Sequence, residues 1–309
     1  YARSGGYSAD DPYFLYGASN LGSLIALLAF PLVAEPLFGA AQIGWGWTVG
    51  FWAMGALMLC SGLMAGKGAA QVSKTVSTSV SPVLRKRLYW GVIAFVPSSM
   101  MLAVTTKLST DIGSVPLIWV IPLALFLLTF VLVFTKRPVA SMATLRLGYL
   151  LGLGLLAAVF SNLLGSHVTV MSAGVAIVAF FLTALYAHAL LYEDRPNAEH
   201  LTTFYVTMSV GGALGGFFNS IIAPNLFNEL HEGAITVAIA ALLLLDRTSR
   251  PSRSAMGLAL VLAVFLIAQS SLNDMLGTRT IAVLATLLLL AIAATIRKHA
   301  QAHALVIIA

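Results

Sequence analysis

The sequence predicts an all-α fold, a polytopic helix bundle embedded in a membrane, and three observations predict it. Of 309 residues, 59% are hydrophobic and only 9% are charged, with a mean hydropathy of +0.94, whereas an ordinary soluble domain carries roughly 25% charged residues. The apolar residues gather into ten runs, most of them near the ~20 residues a helix needs to cross hydrocarbon. Of 17 Lys and Arg, 15 fall in alternate gaps between those runs or, for Arg146, at the run edge beside one, and two fall in the remaining gaps. Inside lipid a single segment satisfies its own backbone N–H and C=O groups only as a helix, so the runs are read as transmembrane helices.

In chain order the runs are 14–34, 43–66, 88–104, 112–134, 145–165, 168–192, 201–223, 233–245, 255–270 and 281–296. Gaps rich in Lys and Arg stay in the cytoplasm, and the alternation therefore expects both ends of the sequence there. The polar stretch 67–87, with Lys67, Lys74, Arg85, Lys86 and Arg87, is expected to be a cytoplasmic loop. It divides a leading two-helix piece, 1–66, from an eight-helix piece, 88–309. A smaller break falls at 246–254, where Pro251 joins three Arg. Asp10, Asp11 and Pro12 open the first run as a helix start, and Asn197 and Glu199 open the seventh in the same way. Trp45, Trp47, Tyr89 and Trp90 flank run ends and read as interfacial belt residues. The sequence opens on Tyr1 and closes as His303 to Ala309 turns apolar, and the polypeptide is expected to continue in at least one direction.

Charge and cysteine usage narrow the function classes. The net charge of +6 sits in the cytoplasmic gaps, where topology and anionic headgroups account for it, so nucleic acid is not an expected partner while membrane lipid is. Cys60, the single cysteine, lies within an apolar run and can form no intramolecular disulfide. Gly152, Gly154 and Ala157 imitate a dinucleotide fingerprint, but mid-span, with no strand before them and no acid about 20 residues on. That segment is a packing face, and no cofactor is expected in these residues. His299 and His303 have the i, i+4 spacing of a metal pair without a third ligand. No metal site and no nucleophile-base pair is legible, hence no catalytic residue.

Three places can carry binding. Lys107 and Asp111 are four apart and share a helix face, ahead of a run that Pro116 and Pro122 are expected to interrupt. A charge pair beside a broken helix is what a substrate site in a transporter contains; an ordinary ion pair next to a kinked helix is the other reading. Glu193, Asp194, Glu199 and His200, with Arg195, form an acid-rich loop that can attract a polyamine or other small cation, or simply cap a helix and pair with neighbouring Arg. Gly211, Gly212, Gly215 and Gly216, and near the start Gly17, Asn20 and Gly22, build small-residue faces expected to pack against other helices.

Three blocks, 11–39, 94–134 and 193–224, resemble the bacterial fused major-facilitator/spermidine-synthase membrane proteins. The resemblance implies a major-facilitator-like bundle in the bacterial cytoplasmic (inner) membrane, with further helices ahead of the first block and a soluble aminopropyltransferase-like domain after the last helix. Any such activity would lie in that domain, outside these residues. Two functions follow: transport or delivery of a polyamine-like cation for a linked synthase-like domain, or a non-catalytic scaffold or accessory subunit of a larger membrane protein complex.

Overall fold

A computed structural model describes residues 13–68, 82–112, 116–135, 139–161, 170–228, 230–241 and 243. Every regular element among the described residues is helical. These are α1 (Phe14–Ala29), a π-turn (Phe30–Ala34), α2 (Glu35–Leu37), α3 (Ala40–Gly68), α4 (Leu84–Ile112), α5 (Pro116–Val133), α6 (Met142–Phe160) and α7 (Val170–Glu193). A 3-10 turn (Ala198–His200), α8 (Leu201–Phe217), a second π-turn (Phe218–Ile222), α9 (Ala223–Leu226) and α10 (Glu232–Ala241) follow. Six of the helical segments are long and apolar enough to cross a membrane, and two shorter apolar helices, within α5 and at α10, accompany them. The ninth and tenth apolar runs, the break at 246–254, residues 69–81, the Asp10-Asp11-Pro12 start and the His299 and His303 pair lie outside the described residues.

The core forms around α4, which packs on α8, α7, α10 and α5, while α6 lies along α7 and α1 along α5. Trp90, Tyr149, Phe180, Phe204, Leu156 and Leu191 are fully buried there. Three local expectations are corrected. The helix of the third run does not stop with the apolar residues at Val104: α4 continues to Ile112 and carries the Lys107–Asp111 pair along one face. Pro116 interrupts nothing, since it is the first residue of α5, where its missing N–H removes no helical bond. Trp90 is not a belt residue; it is buried, and its indole N–H donates to Asp194 at 2.7 Å.

One supersecondary unit occurs twice. In both α1 and α8 the helix opens into a five-residue π-turn, resumes for a short proline-bearing turn and stops at an extended phenylalanine. The cause is local. Pro36 and Pro224 lack the N–H of a helical residue and press on the carbonyl four residues back. The residue before each proline, Glu35 or Ala223, sends its N–H to a carbonyl five residues back, Phe30 or Phe218. That wider turn relieves the crowding. Phe38 (φ −124°, ψ 142°) and Phe227 (φ −119°, ψ 141°) then end the two units alike.

Surroundings of the two units differ. The helix after the second unit, α10, is buried against α4 and α6, whereas α3, after the first, is exposed from 40 to 64 except for half-buried Ile43. Trp45 and Trp47 are each 72% exposed. Between the first π-turn and α3 runs an apolar groove of about 570 Å³ lined by Phe30, Phe38, Trp47 and Phe51, with Gly46 and Gly50 in its floor.

Candidate functional site

Polar groups inside the bundle fall into three clusters. At one end of α4, Lys107 Nζ lies 2.9 Å from Asp111 Oδ2, with side-chain exposures of 11% and 8%. An ionised pair so far removed from water persists only because each partner compensates the other, and removing one would leave a buried charge. The spacing that the sequence supplies, four residues on a helix, places them together.

A second cluster lies where α4, α10 and the second π-turn meet. Asn219 Nδ2 donates to Ser99 Oγ at 2.6 Å and to the Gly215 carbonyl at 3.0 Å. Ser99 and Thr236 hydroxyls are 2.6 Å apart, and Thr236 donates to the Glu232 carbonyl at 2.7 Å. Thr236 has thereby used its hydrogen, so Ser99 is the donor of the pair and the bonds run in one direction from Asn219 to Glu232. Every donor is used. Asn219 Oδ1 remains a buried acceptor with no partner among the described residues.

The third cluster is His188, fully buried on α7, with Nδ1 2.7 Å from Thr129 Oγ1 on α5. Thr129 gives its own hydrogen to the Phe126 carbonyl at 2.6 Å, which makes His188 Nδ1 the donor and leaves Nε2 as an acceptor. Nε2 has no partner among the described residues. The imidazole stacks on Phe130 at 3.7 Å between ring centres. In the sequence His188 is a lone histidine near the end of the sixth run with no partner at an arguable spacing, and Ser99, Asn219 and Thr236 carry no signal at all; only the packing brings partners to these four.

The acid-rich loop does not converge on one pocket. Asp194 accepts from Trp90 and lies 3.6 Å from Lys86 Nζ, Arg195 covers the Tyr192 ring at 3.8 Å, and Glu199 is exposed on the 3-10 turn beside half-buried His200. Glu193 ends α7 at a separate groove. Among the small residues, Gly211 and Gly215 meet the α4 backbone: a Cβ on Gly211 would land on the Gly91 carbonyl, and one on Gly215 would lie 2.7 Å from the Phe95 carbonyl. Gly212 and Gly216 face side chains instead, Ser98 at 3.2 Å and Leu102 at 3.9 Å. Gly17 abuts Phe134, Asn20 bonds back to the Tyr16 carbonyl, and Gly22 has open space around it. Gly152 closes on Ala179 and Thr183 of α7. Among the described residues no cluster of His, Cys, Asp and Glu has the makings of a metal site. No protein-family model, curated protein or solved structure matches the chain.

Proposed function

We propose that the chain is the membrane part of a transport or delivery module for a polyamine-like cation. In this reading it is a major-facilitator-like bundle of about ten helices in the bacterial inner membrane, with both ends of the sequence on the cytoplasmic side. The observation that carries the reading is the matched pair of interrupted helices. Helix interruptions in corresponding positions of two repeats mark the substrate path in many secondary transporters, and π-turns inside helices often lie at functional sites. The substrate class is supported by the two buried polar clusters around Asn219 and His188. Both leave an acceptor open and no donor, which suits a ligand that brings N–H groups. Asp111 supplies the negative charge, with Lys107 neutralising it until a cation competes. Calorimetric titration of spermidine into the wild-type protein and an Asp111→Asn variant tests this: the wild type binds and the variant does not. Equal binding by both would remove Asp111 from the site.

A second reading, a non-catalytic scaffold or accessory subunit of a larger complex, is favoured by α3. A long apolar helix exposed over nearly all its described surface, with a glycine-floored groove beside it, suits the helices of a partner membrane protein. A photocrosslinker at Trp47 would then capture a second polypeptide. Capture of lipid alone, or of the chain's own residues, would count against it.

A further inference from the structure

We propose that the junction of α4, the second π-turn and α10 binds a monovalent metal cation, sodium, through the side-chain oxygens of Asn219, Ser99 and Thr236. The polar chain there leaves lone pairs and no hydrogens. Asn219 Nδ2 gives both of its hydrogens, one to Ser99 and one to the Gly215 carbonyl. The second bond fixes the way the amide faces, because turning it over would set two acceptors against each other. Oδ1 is thereby left as a buried acceptor with no partner among the described residues, on a side chain belonging to a residue only 9% exposed. Ser99 and Thr236 each accept one bond and donate one, which leaves a further lone pair on each. Pro224 adds to the set: it has no N–H to give, so a carbonyl of the π-turn loses its backbone partner. A water molecule placed against these oxygens would give two hydrogens and leave its own lone pairs unmet, whereas a metal cation only takes lone pairs.

Charge and space narrow the ion. Glu232 heads α10 one turn before Thr236, is 6% exposed, and is paired with no Lys or Arg among the described residues. One carboxylate beside neutral oxygens balances a single charge, while a calcium site gathers about 6–8 oxygens, carboxylates prominent among them. The backbones are close: a Cβ on Gly215 would lie 2.9 Å from the Ser99 nitrogen. A small dehydrated ion suits so tight a junction better than an amine carrying its alkyl chain. Interrupted helices with freed carbonyls are also where secondary transporters coordinate sodium. The first unit has Pro31 in the place of Asn219 and lacks the side chain for a matching site. The inference rests on the transport reading for the ion's use in coupling, and not for its binding. Asn219 then serves the ion, and His188 Nε2 is the acceptor left for a substrate's N–H groups.

Thermal unfolding of the detergent-solubilised full chain in sodium, potassium and choline chloride at equal ionic strength, and separately with spermidine, tests the proposal. Sodium should stabilise the wild type saturably, at concentrations about tenfold lower than potassium. Glu232→Gln removes the charge and Ser99→Ala one of the oxygens; each should weaken sodium about tenfold, the scale of one contact to a charged group, and leave spermidine binding unchanged. A sharp transition in choline chloride establishes that a variant is folded; should neither fold, sodium against potassium in the wild type decides. Equal stabilisation by all three salts, or undiminished sodium binding by the folded variants, would overturn the site. Protection by spermidine but not sodium, lost in Ser99→Ala, would overturn it too and return the junction to the substrate. Sodium binding by a protein that binds no spermidine would uphold the ion site and remove only its coupling role.

Discussion

The α1 and α8 units share a backbone and differ in almost everything that touches it. Matched at their π-turns, Ser23, Leu27 and Pro31 stand where α8 has Gly211, Gly215 and Asn219. Along α8 that row lies against α4 closely enough for backbone contact, and its last member anchors a hydrogen-bond chain to α10. On α1, Ser23 is exposed and Leu27 and Pro31 are half-buried. The difference separates two causes. The π-turn goes with a proline near the end of each helix, where the wider turn relieves local crowding; Pro97 inside α4 and Pro122 inside α5 leave those helices regular. Close packing needs small residues in register with a neighbour, and lipid supplies no hydrophobic drive to replace that fit. The polar chain at Asn219 is therefore not a by-product of the π-turn, since the first unit forms the same turn around Pro31 without one.

The widest separation of the two units should come from membrane sidedness, which is all or none. Both units end alike, so cysteines at Glu35 and Asn225 are expected to label together from the outer face, while one at Ser77 is protected. Labelling of only one of the pair would mean that the units run in opposite directions. Next in size is the glycine contact. Gly211→Leu places a side chain on the Gly91 carbonyl and should cost about 3 kcal/mol or prevent assembly, near the upper end for overpacking. Gly22→Leu, with open space around it, should change thermal unfolding in detergent by no more than about 0.5 kcal/mol, as surface changes do.

A smaller effect is expected at the hydrogen-bond chain. Asn219→Leu loses two donated bonds but also removes an unpaired buried acceptor. The net destabilisation should be about 1 kcal/mol, and a cycle with Thr236→Val should be non-additive because the two share Ser99. Additive losses would show that the chain does not act as a unit. The smallest change is expected from Pro36→Ala and Pro224→Ala, which restore an N–H to each helix. Each should protect the amides around its own π-turn from exchange while shifting stability by no more than about 1 kcal/mol.

Much of this architecture is legible before any coordinates. Among the described residues the first eight apolar runs fall on helices, six of them long and apolar enough to cross a membrane, as expected where only a helix satisfies its own backbone in lipid. Boundaries are less legible: hydropathy ends the third run at Val104, whereas α4 runs on to Ile112 and holds Lys107 and Asp111 as a pair on one face, as their spacing of four predicts. Trp90 follows three basic residues as a belt tryptophan would, and nothing in its neighbours along the chain announces the distant Asp194. The doubled glycines point to close packing, but adjacent residues on a helix face directions about 100° apart. Which glycine of each pair meets backbone is decided by the position of α4. The isolation of α3 leaves no trace in composition, since a helix facing lipid and one facing other helices are equally apolar. His188 reads in the sequence as a lone histidine without a partner, and Ser99, Asn219 and Thr236 give no signal, because their partners lie 59 to 137 residues away.

Spermidine exchange by the protein in sealed vesicles tests the transport reading most directly. Proteoliposomes loaded with unlabelled spermidine should accumulate external labelled spermidine transiently when they contain the wild-type chain, with Asp111→Asn vesicles no better than empty ones. Wild-type vesicles that exchange no faster than protein-free vesicles would contradict the transport reading and leave the exposed α3 face, with the scaffold role it favours, as the better description of the chain.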